Sequence, residues 1–249
     1  PDAAVSRLLL DELLSFLRVL SYQKEIDMGD FAGFPADVFD AFPVAEDEFA
    51  EDARKEALQS LVNLVQTVRK SLPAKLKPFK YLTKGVITKD ARHVWATLSR
   101  LERPIDEPHF SFSIRPDGFE LCLLLEGIKP TKCAFKAIRS EPEKFLKLLQ
   151  RLPGYFIEIR RRWQHQAQLF KSAPACQVNL DAVGPEDIDY LVHKMTALSR
   201  KETKRGLFEI RLVLDYSRTD KRLQDKRIVK EVFGQMERLA VVERFLSRD

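Results

Sequence analysis

The chain has 249 residues, of which 45% are hydrophobic and 32% charged, so it carries enough apolar material for a sizeable core and is not disordered in bulk. No stretch approaches the roughly 20 consecutive apolar residues that a membrane-spanning helix requires, and no secretion signal is recognisable at the first residues. The three cysteines, Cys122, Cys133 and Cys176, are odd in number and widely spaced, so no disulfide framework is expected, which favours a reducing, cytoplasmic location. The lack of a long apolar stretch predicts no membrane partner.

Helices dominate the predicted structure of the first hundred residues. Leucines at helical spacing predict an amphipathic helix over residues 2–22, and a second helix is expected over residues 47–71. Between them, a phenylalanine-rich connection is expected to insert its aromatic side chains into the core, with Pro35 opening a short helical turn. A third helix is predicted over residues 89–101, with Thr88 as its N-cap.

The clearest β-structure signal is a hairpin in the middle of the chain. Residues 110–115 alternate apolar and polar side chains, which indicates a strand. The sequence Pro-Asp-Gly follows and supplies turn chemistry, and residues 119–126 read as a second strand. The turn therefore predicts two adjacent antiparallel strands.

Helices and strands alternate in the second half of the chain. After the hairpin, a helix is expected over residues 131–152, in two pieces because Pro142 interrupts it. The remaining predicted elements are a strand over 155–163, an irregular stretch over 164–184, a helix over 185–204, a strand over 208–216 and a final helix over 223–246.

This order of elements predicts an α+β fold. We expect a largely antiparallel sheet of about four or more strands, covered by helices and preceded by an N-terminal helical layer. A single domain is expected over residues 1–249, in which residues 1–75 form the helical layer and residues 76–249 the sheet-containing body.

One resemblance to known proteins covers roughly residues 30–249. The run FELCLLLEG from Phe119, the helix predicted after it, and the closing pattern LAVVERFL from Leu239 resemble YktB-like and related bacterial families of unknown function. The resemblance rests on the apolar pattern and on one turn. It implies a similar α+β fold and no established activity, so it assigns no catalytic residue.

Sequence motifs argue against several kinds of chemistry. The four histidines are far apart and form no His-x-x-x-His or paired-cysteine arrangement, so no metal site is predicted from local spacing. There is no Gly-x-Ser-x-Gly elbow for a nucleophilic serine, and the nine glycines form no phosphate-binding loop. We therefore predict no cofactor and name no catalytic residue.

A metal-dependent phosphodiesterase or nuclease is the enzymatic alternative. Such enzymes bring an Asp from one strand and a Glu-x-Lys from the next onto Mg²⁺. Asp117, Glu126 and Lys129 are the nearest match, although the lysine comes one position late. Two further predicted strands carry Glu-Ile-Arg, at residues 158–160 and 209–211, which matches the Glu-x-Lys pattern with arginine in place of lysine. If they are not part of such a site, these charges are expected on a solvated face.

Charge is distributed unevenly along the chain. Residues 1–56 hold fourteen acidic and five basic residues, a net charge of −9, whereas the whole chain carries +5, so the remainder carries +14. The acidic segment could engage a protein partner, which makes an assembly subunit the second alternative. The two regions could also pair with each other.

Clusters of basic residues give the main functional hypothesis, a binding module with a basic face for an anionic partner such as nucleic acid. The candidate binding residues are Arg160, Arg162, Trp163, Lys204, Arg205, Arg222, Lys226 and Lys230. On a helix beginning near residue 221, Arg222, Lys226 and Lys230 would share one face. Trp163 or Tyr216 is expected to stack on an unpaired base. The opposing interpretation is that neighbouring carboxylates, such as those of Asp220 and Glu231, neutralise these cations.

Overall fold

The computed structural model describes residues 31–42, 48–87, 92–161, 174–199 and 208–248, with the backbone alone at residues 48–50. The predicted helix over residues 2–22 lies outside these ranges. Five α-helices occur in the described residues: α1 (Glu48–Lys70), α2 (Ile128–Ser140), α3 (Pro142–Leu149), α4 (Pro185–Ser199) and α5 (Arg227–Leu246). None of the helices in these ranges is both long and apolar enough to span a lipid bilayer.

Seven strands of the described chain form one sheet. They are β1 (Tyr81–Lys84), β2 (Val94–Ser99), β3 (His109–Arg115), β4 (Gly118–Leu125), β5 (Phe156–Arg160), β6 (Cys176–Asn179) and β7 (Glu209–Ser217). Their order is β1-β2-β3-β4-β7-β5-β6, and every neighbouring pair is antiparallel. The α+β fold with a helix-covered antiparallel sheet is thus confirmed, as is the hairpin of β3 and β4.

The sheet has one apolar and one polar face, because successive side chains of a strand point to opposite sides. On the apolar face, Phe112 lies opposite Leu121 and Leu123 lies opposite Leu212, and all four are fully buried. Helix α1 packs on strands β1 to β3, α4 on β5 and β6, and α5 on β4. The core therefore lies between this face and the helices.

The phenylalanine-rich connection contributes to this core, as predicted. Phe34 and Phe39 are at most 2% exposed, and the Phe34 ring lies 5.6 Å from that of Phe119 in β4. A short 3-10 helix, Ala36–Asp40, follows Pro35. The proline fixes φ at the start of this turn and brings the second aromatic side chain back towards the sheet.

Proline also explains the division between α2 and α3. Pro142 occupies the first turn of α3, where its missing N–H costs nothing, and Glu141 lies between the two helices with non-helical dihedrals. The predicted two-piece helix is confirmed, with a start at Ile128.

The prediction of a helix over residues 89–101 is wrong, since β2 runs from Val94 to Ser99. Val94, Ala96 and Leu98 face the core, and Trp95 and Thr97 face the other way. This period of two, in a run containing β-branched and aromatic residues, fits a strand better than a helix. Strands β1 and β6 were not predicted, because each has only four residues and lies at an edge of the sheet.

The final helix begins later than predicted. Residues 221–224 form a 3-10 turn, and α5 starts at Arg227. The Asp220 carboxylate accepts a hydrogen bond from the Arg222 backbone N–H, and that of Asp225 accepts one from the Arg227 N–H. The first hydrogen bond begins the 3-10 turn, with Asp220 as its N-cap, and the second lies at the start of α5, so a single helix does not form from residue 221.

Candidate functional site

Half of the predicted binding residues lie in the described part of the chain. Arg162, Trp163, Lys204 and Arg205 fall outside the described ranges, and their role stays a prediction. The other four are Arg160, Arg222, Lys226 and Lys230.

Arg160 ends strand β5, where carboxylates neutralise its charge. Its guanidinium donates two hydrogen bonds to Glu158, from Nε to Oε2 at 2.7 Å and from Nη2 to Oε1 at 3.1 Å. In the sheet it also lies opposite Glu209 on β7. An arginine whose charge is neutralised by a bidentate carboxylate attracts a phosphate less strongly than a free arginine.

Arg222 is similarly engaged. Its guanidinium donates to Asp220 at 2.6 Å and to Glu231 at 3.3 Å, and it lies 5.0 Å from the centre of the Tyr216 ring. The hydrogen bond from Arg222 holds the pKa of the Asp220 carboxyl below its usual range. Tyr216 is only 3% exposed and donates its hydroxyl to Glu231, so the prediction that its ring stacks on a base is wrong.

Lys226 and Lys230 are exposed at the beginning of α5. Because the helix starts at Arg227, these two lysines do not share a continuous helix with Arg222. The predicted three-residue stripe is therefore reduced to two exposed cations next to a neutralised arginine.

Helix α2 carries a basic surface that the sequence reasoning missed. Its four basic residues, Lys129, Lys132, Lys136 and Arg139, are all exposed, and the helix contains no acidic residue. We call them the basic stripe. Their spacing of three, four and three residues places them on one side of the helix. The sequence signal for the stripe is the helical spacing of its cations. Runs of adjacent basic residues do not indicate it.

The first turn of α2 is unusual for its charge. The N-cap is Gly127, which supplies no side-chain cap, and no acidic residue stands in the first turn. Lys129 and Lys132 lie instead at the end of the helix where the macrodipole is positive. The local sequence therefore opposes helix stability at this position.

The residues suggested for a nuclease do not come together. Asp117 lies in the turn before β4, and Glu126 follows the other end of that strand. A strand of this length separates them by roughly 30 Å, far more than one metal ion can bridge. Across the residues that the structure places, no group of three or more His, Cys, Asp or Glu side chains is arranged to hold a metal ion.

The polar face of the sheet holds a buried ion-pair network that spans four strands. Arg211 on β7 donates to Glu120 on β4 at 2.6 Å and to Glu158 on β5 at 2.9 Å. Arg115 on β3 donates to the second oxygen of Glu120 at 2.9 Å. We call these residues, with Arg160, the sheet network. Glu120, Glu158 and Arg211 are each less than 9% exposed, so the expectation that these charges lie on a solvated face is wrong.

The sheet network contains three arginines and two glutamates, and Asp215 on β7 supplies a third carboxylate by accepting a hydrogen bond from Arg115 at 2.7 Å. Burial alone would raise the pKa of the Glu120 carboxyl, but Arg211 and Arg115 together hold it below its usual value. Its arginines are thus occupied by carboxylates of the same sheet. The network suits cross-strand stabilisation better than the capture of an anionic ligand.

His93 lies next to this network, just before β2. Burial lowers the pKa of the His93 imidazole to about 4. The charge of Glu120 raises this pKa, and the charges of Arg115 and Arg211 lower it further. In the unfolded chain the usual value of 6.5 applies. The folded state therefore resists protonation of His93, and stability present above pH 6.5 is lost as the pH falls towards 4.

We expect the free energy of unfolding to fall by about 2 kcal/mol between pH 7 and pH 5 through His93 alone. Urea unfolding at the two pH values measures this loss. A His93→Gln variant is expected to show a smaller loss over the same interval, because it cannot titrate. An identical pH dependence in the variant and the parent would contradict the assignment.

Comparisons with known proteins do not identify the chain. No family model matches the sequence, and no curated protein matches it. The resemblance to YktB-like families stays a prediction.

Proposed function

We propose that the chain is a binding module for an anionic partner, with nucleic acid as the best candidate. The observation that carries the proposal is the basic stripe of α2, where four exposed cations occur in a helix without a single acidic residue. A row of exposed Lys and Arg side chains is suited to binding phosphate groups.

Neighbouring elements support this assignment. Helix α2 packs against α5, and the contact of Glu141 with Arg248 places the end of α2 beside the C-terminal end of α5, where Arg244 and Arg248 are exposed. The nearest acidic residue after the stripe is Glu141, and its carboxylate already contacts Lys144 at 2.6 Å and Arg248 at 3.6 Å. It is therefore engaged outside the stripe.

Fluorescence anisotropy with labelled oligonucleotides tests the proposal. We expect binding at low salt that weakens steeply as salt is added, because phosphate contacts release counterions. The variant Lys129→Glu/Lys136→Glu should bind at least tenfold more weakly. Lys84→Glu, which reverses an exposed lysine on the edge strand β1, should bind like the parent.

The same titration separates the alternatives. Absence of binding at low salt, or binding that is insensitive to salt, contradicts the proposal. Cleavage of the oligonucleotide in Mg²⁺ would favour the phosphodiesterase. A solution mass above that of the monomer, without oligonucleotide binding, would favour the assembly subunit.

A further inference from the structure

We infer that the basic stripe of α2 binds the phosphate backbone of double-stranded nucleic acid and does not read its bases. This inference rests on the proposed function and specifies the ligand of the same surface.

The stripe has the dimensions of a backbone contact. At 1.5 Å per residue, its four cations extend over about 15 Å, and at 3.6 residues per turn they occupy an arc of about 80°. Duplex DNA carries one negative charge for about each 1.7 Å of its axis, so several phosphates lie within this length. A narrow row of cations can therefore meet several phosphates without any change in the helix.

Helix α2 offers little that could contact bases. Thr131 is buried, and its hydroxyl donates to the Gly127 carbonyl at 2.6 Å. The Phe135 ring is half-buried, lies edge-on to Phe208 at 6.3 Å, and has the Arg139 guanidinium 5.4 Å from its centre. Stacking on unpaired bases needs an accessible aromatic face, which this ring does not present. Single strands should thus bind this surface less well than duplexes.

The same helix is unsuited to a lipid surface. A basic helix binds membranes by inserting an apolar side next to its cations. The apolar side of α2, which includes Pro130, Ala134 and Ile138, is buried in the protein core. Ile128 is the one exposed apolar residue of α2, at 40%, and a single side chain provides little for insertion into a membrane, so phosphate contacts are favoured over insertion.

The first turn supplies an independent argument. Cations at the positive end of a helix destabilise it, and Lys129 stands there without a capping side chain to compensate. Proteins tolerate such local conflict mainly where a residue serves binding. Substitution of Lys129 should therefore weaken binding without lowering thermal stability.

The test compares a 20-base-pair DNA duplex with one of its single strands by anisotropy at several salt concentrations. We expect tighter binding of the duplex and equal affinity for a duplex of scrambled sequence. The variants Lys129→Gln and Lys136→Gln should each reduce the slope of log K against log salt by about 0.9, the value for one phosphate contact. Lys84→Gln should leave the slope unchanged, and the Tm of Lys129→Gln should equal or exceed that of the parent.

Each other result has a defined meaning. Tighter binding of the single strand, dependence on base sequence, or binding to anionic phospholipid vesicles in place of DNA would overturn the inference. If the parent binds nucleic acid and both variants keep its slope, the inference fails because the stripe is not the contact, whereas binding of an anionic partner by the chain is retained through another surface. If the parent binds no oligonucleotide, both fail.

Discussion

Replacement of Arg211 by methionine is expected to lower the free energy of unfolding by about 3–5 kcal/mol, the range for breaking a buried ion pair. Methionine keeps much of the side-chain volume, but the substitution removes the cation that Glu120 and Glu158 share. Both carboxylates are less than 5% exposed, so water cannot replace the lost hydrogen bonds without rearrangement of the sheet. Urea unfolding at pH 7 measures the change.

Two companion variants show whether buried charge is the cause. Arg222→Met removes an arginine of similar bonding from an exposed position and should cost at most about 1 kcal/mol. Adding Glu120→Gln to Arg211→Met removes one carboxylate for the one cation lost, while Arg115 keeps Asp215 and Glu158 keeps Arg160, and should recover part of the loss. A cost for Arg211→Met no larger than that for Arg222→Met would show that the sheet network is not buried as described.

The second large effect is expected at Arg100, which ties the segment after β2 to the C-terminal helix. Its Nε donates to Glu107 at 2.9 Å, its Nη2 donates to Glu243, and its guanidinium lies 4.9 Å from the centre of the Phe79 ring. Glu243 is 1% exposed and accepts a further hydrogen bond from Ser247. Arg100→Met should therefore cost about 3 kcal/mol, because it leaves two largely buried carboxylates without their cation.

Arg103 provides the matched control for Arg100. It contacts Asp106 at 3.5 Å, and the side chains of both residues are more than half exposed. Arg103→Met should change the free energy of unfolding by less than about 1 kcal/mol. A double-mutant cycle of Arg100→Met with Glu243→Gln measures their coupling, and a coupling energy near zero would contradict a direct ion pair.

Sequence patterns predicted the elements that local chemistry determines. The Pro-Asp-Gly turn located the hairpin of β3 and β4, and Pro142 located the break between two helices. The local sequence favours a helix at β2, because the alternating pattern of the strand is short and Thr88 is a plausible N-cap. The pairing of β2 with β3, which the local sequence does not encode, decides the outcome.

The charged residues were predicted less well, for a related reason. Arg211 is 91 residues from Glu120 and 53 from Glu158, so neither pairing can be found by inspecting neighbours in the sequence. The two Glu-Ile-Arg motifs suggested solvated strands, and the insertion of β7 between β4 and β5 buries them together. The basic stripe, by contrast, depends only on helical spacing within thirteen residues and was open to prediction.

The position of β7 has a consequence for synthesis of the chain on the ribosome. Strands β1 to β4 and strands β5 and β6 are made first, but each group presents an unpaired inner edge until residues 209–217 emerge. Until then, Glu120 and Glu158 also lack Arg211. During synthesis, the unpaired edges of β4 and β5 can therefore pair with strands of other chains. A chain that ends before β7 would keep both edges exposed and would be prone to aggregation.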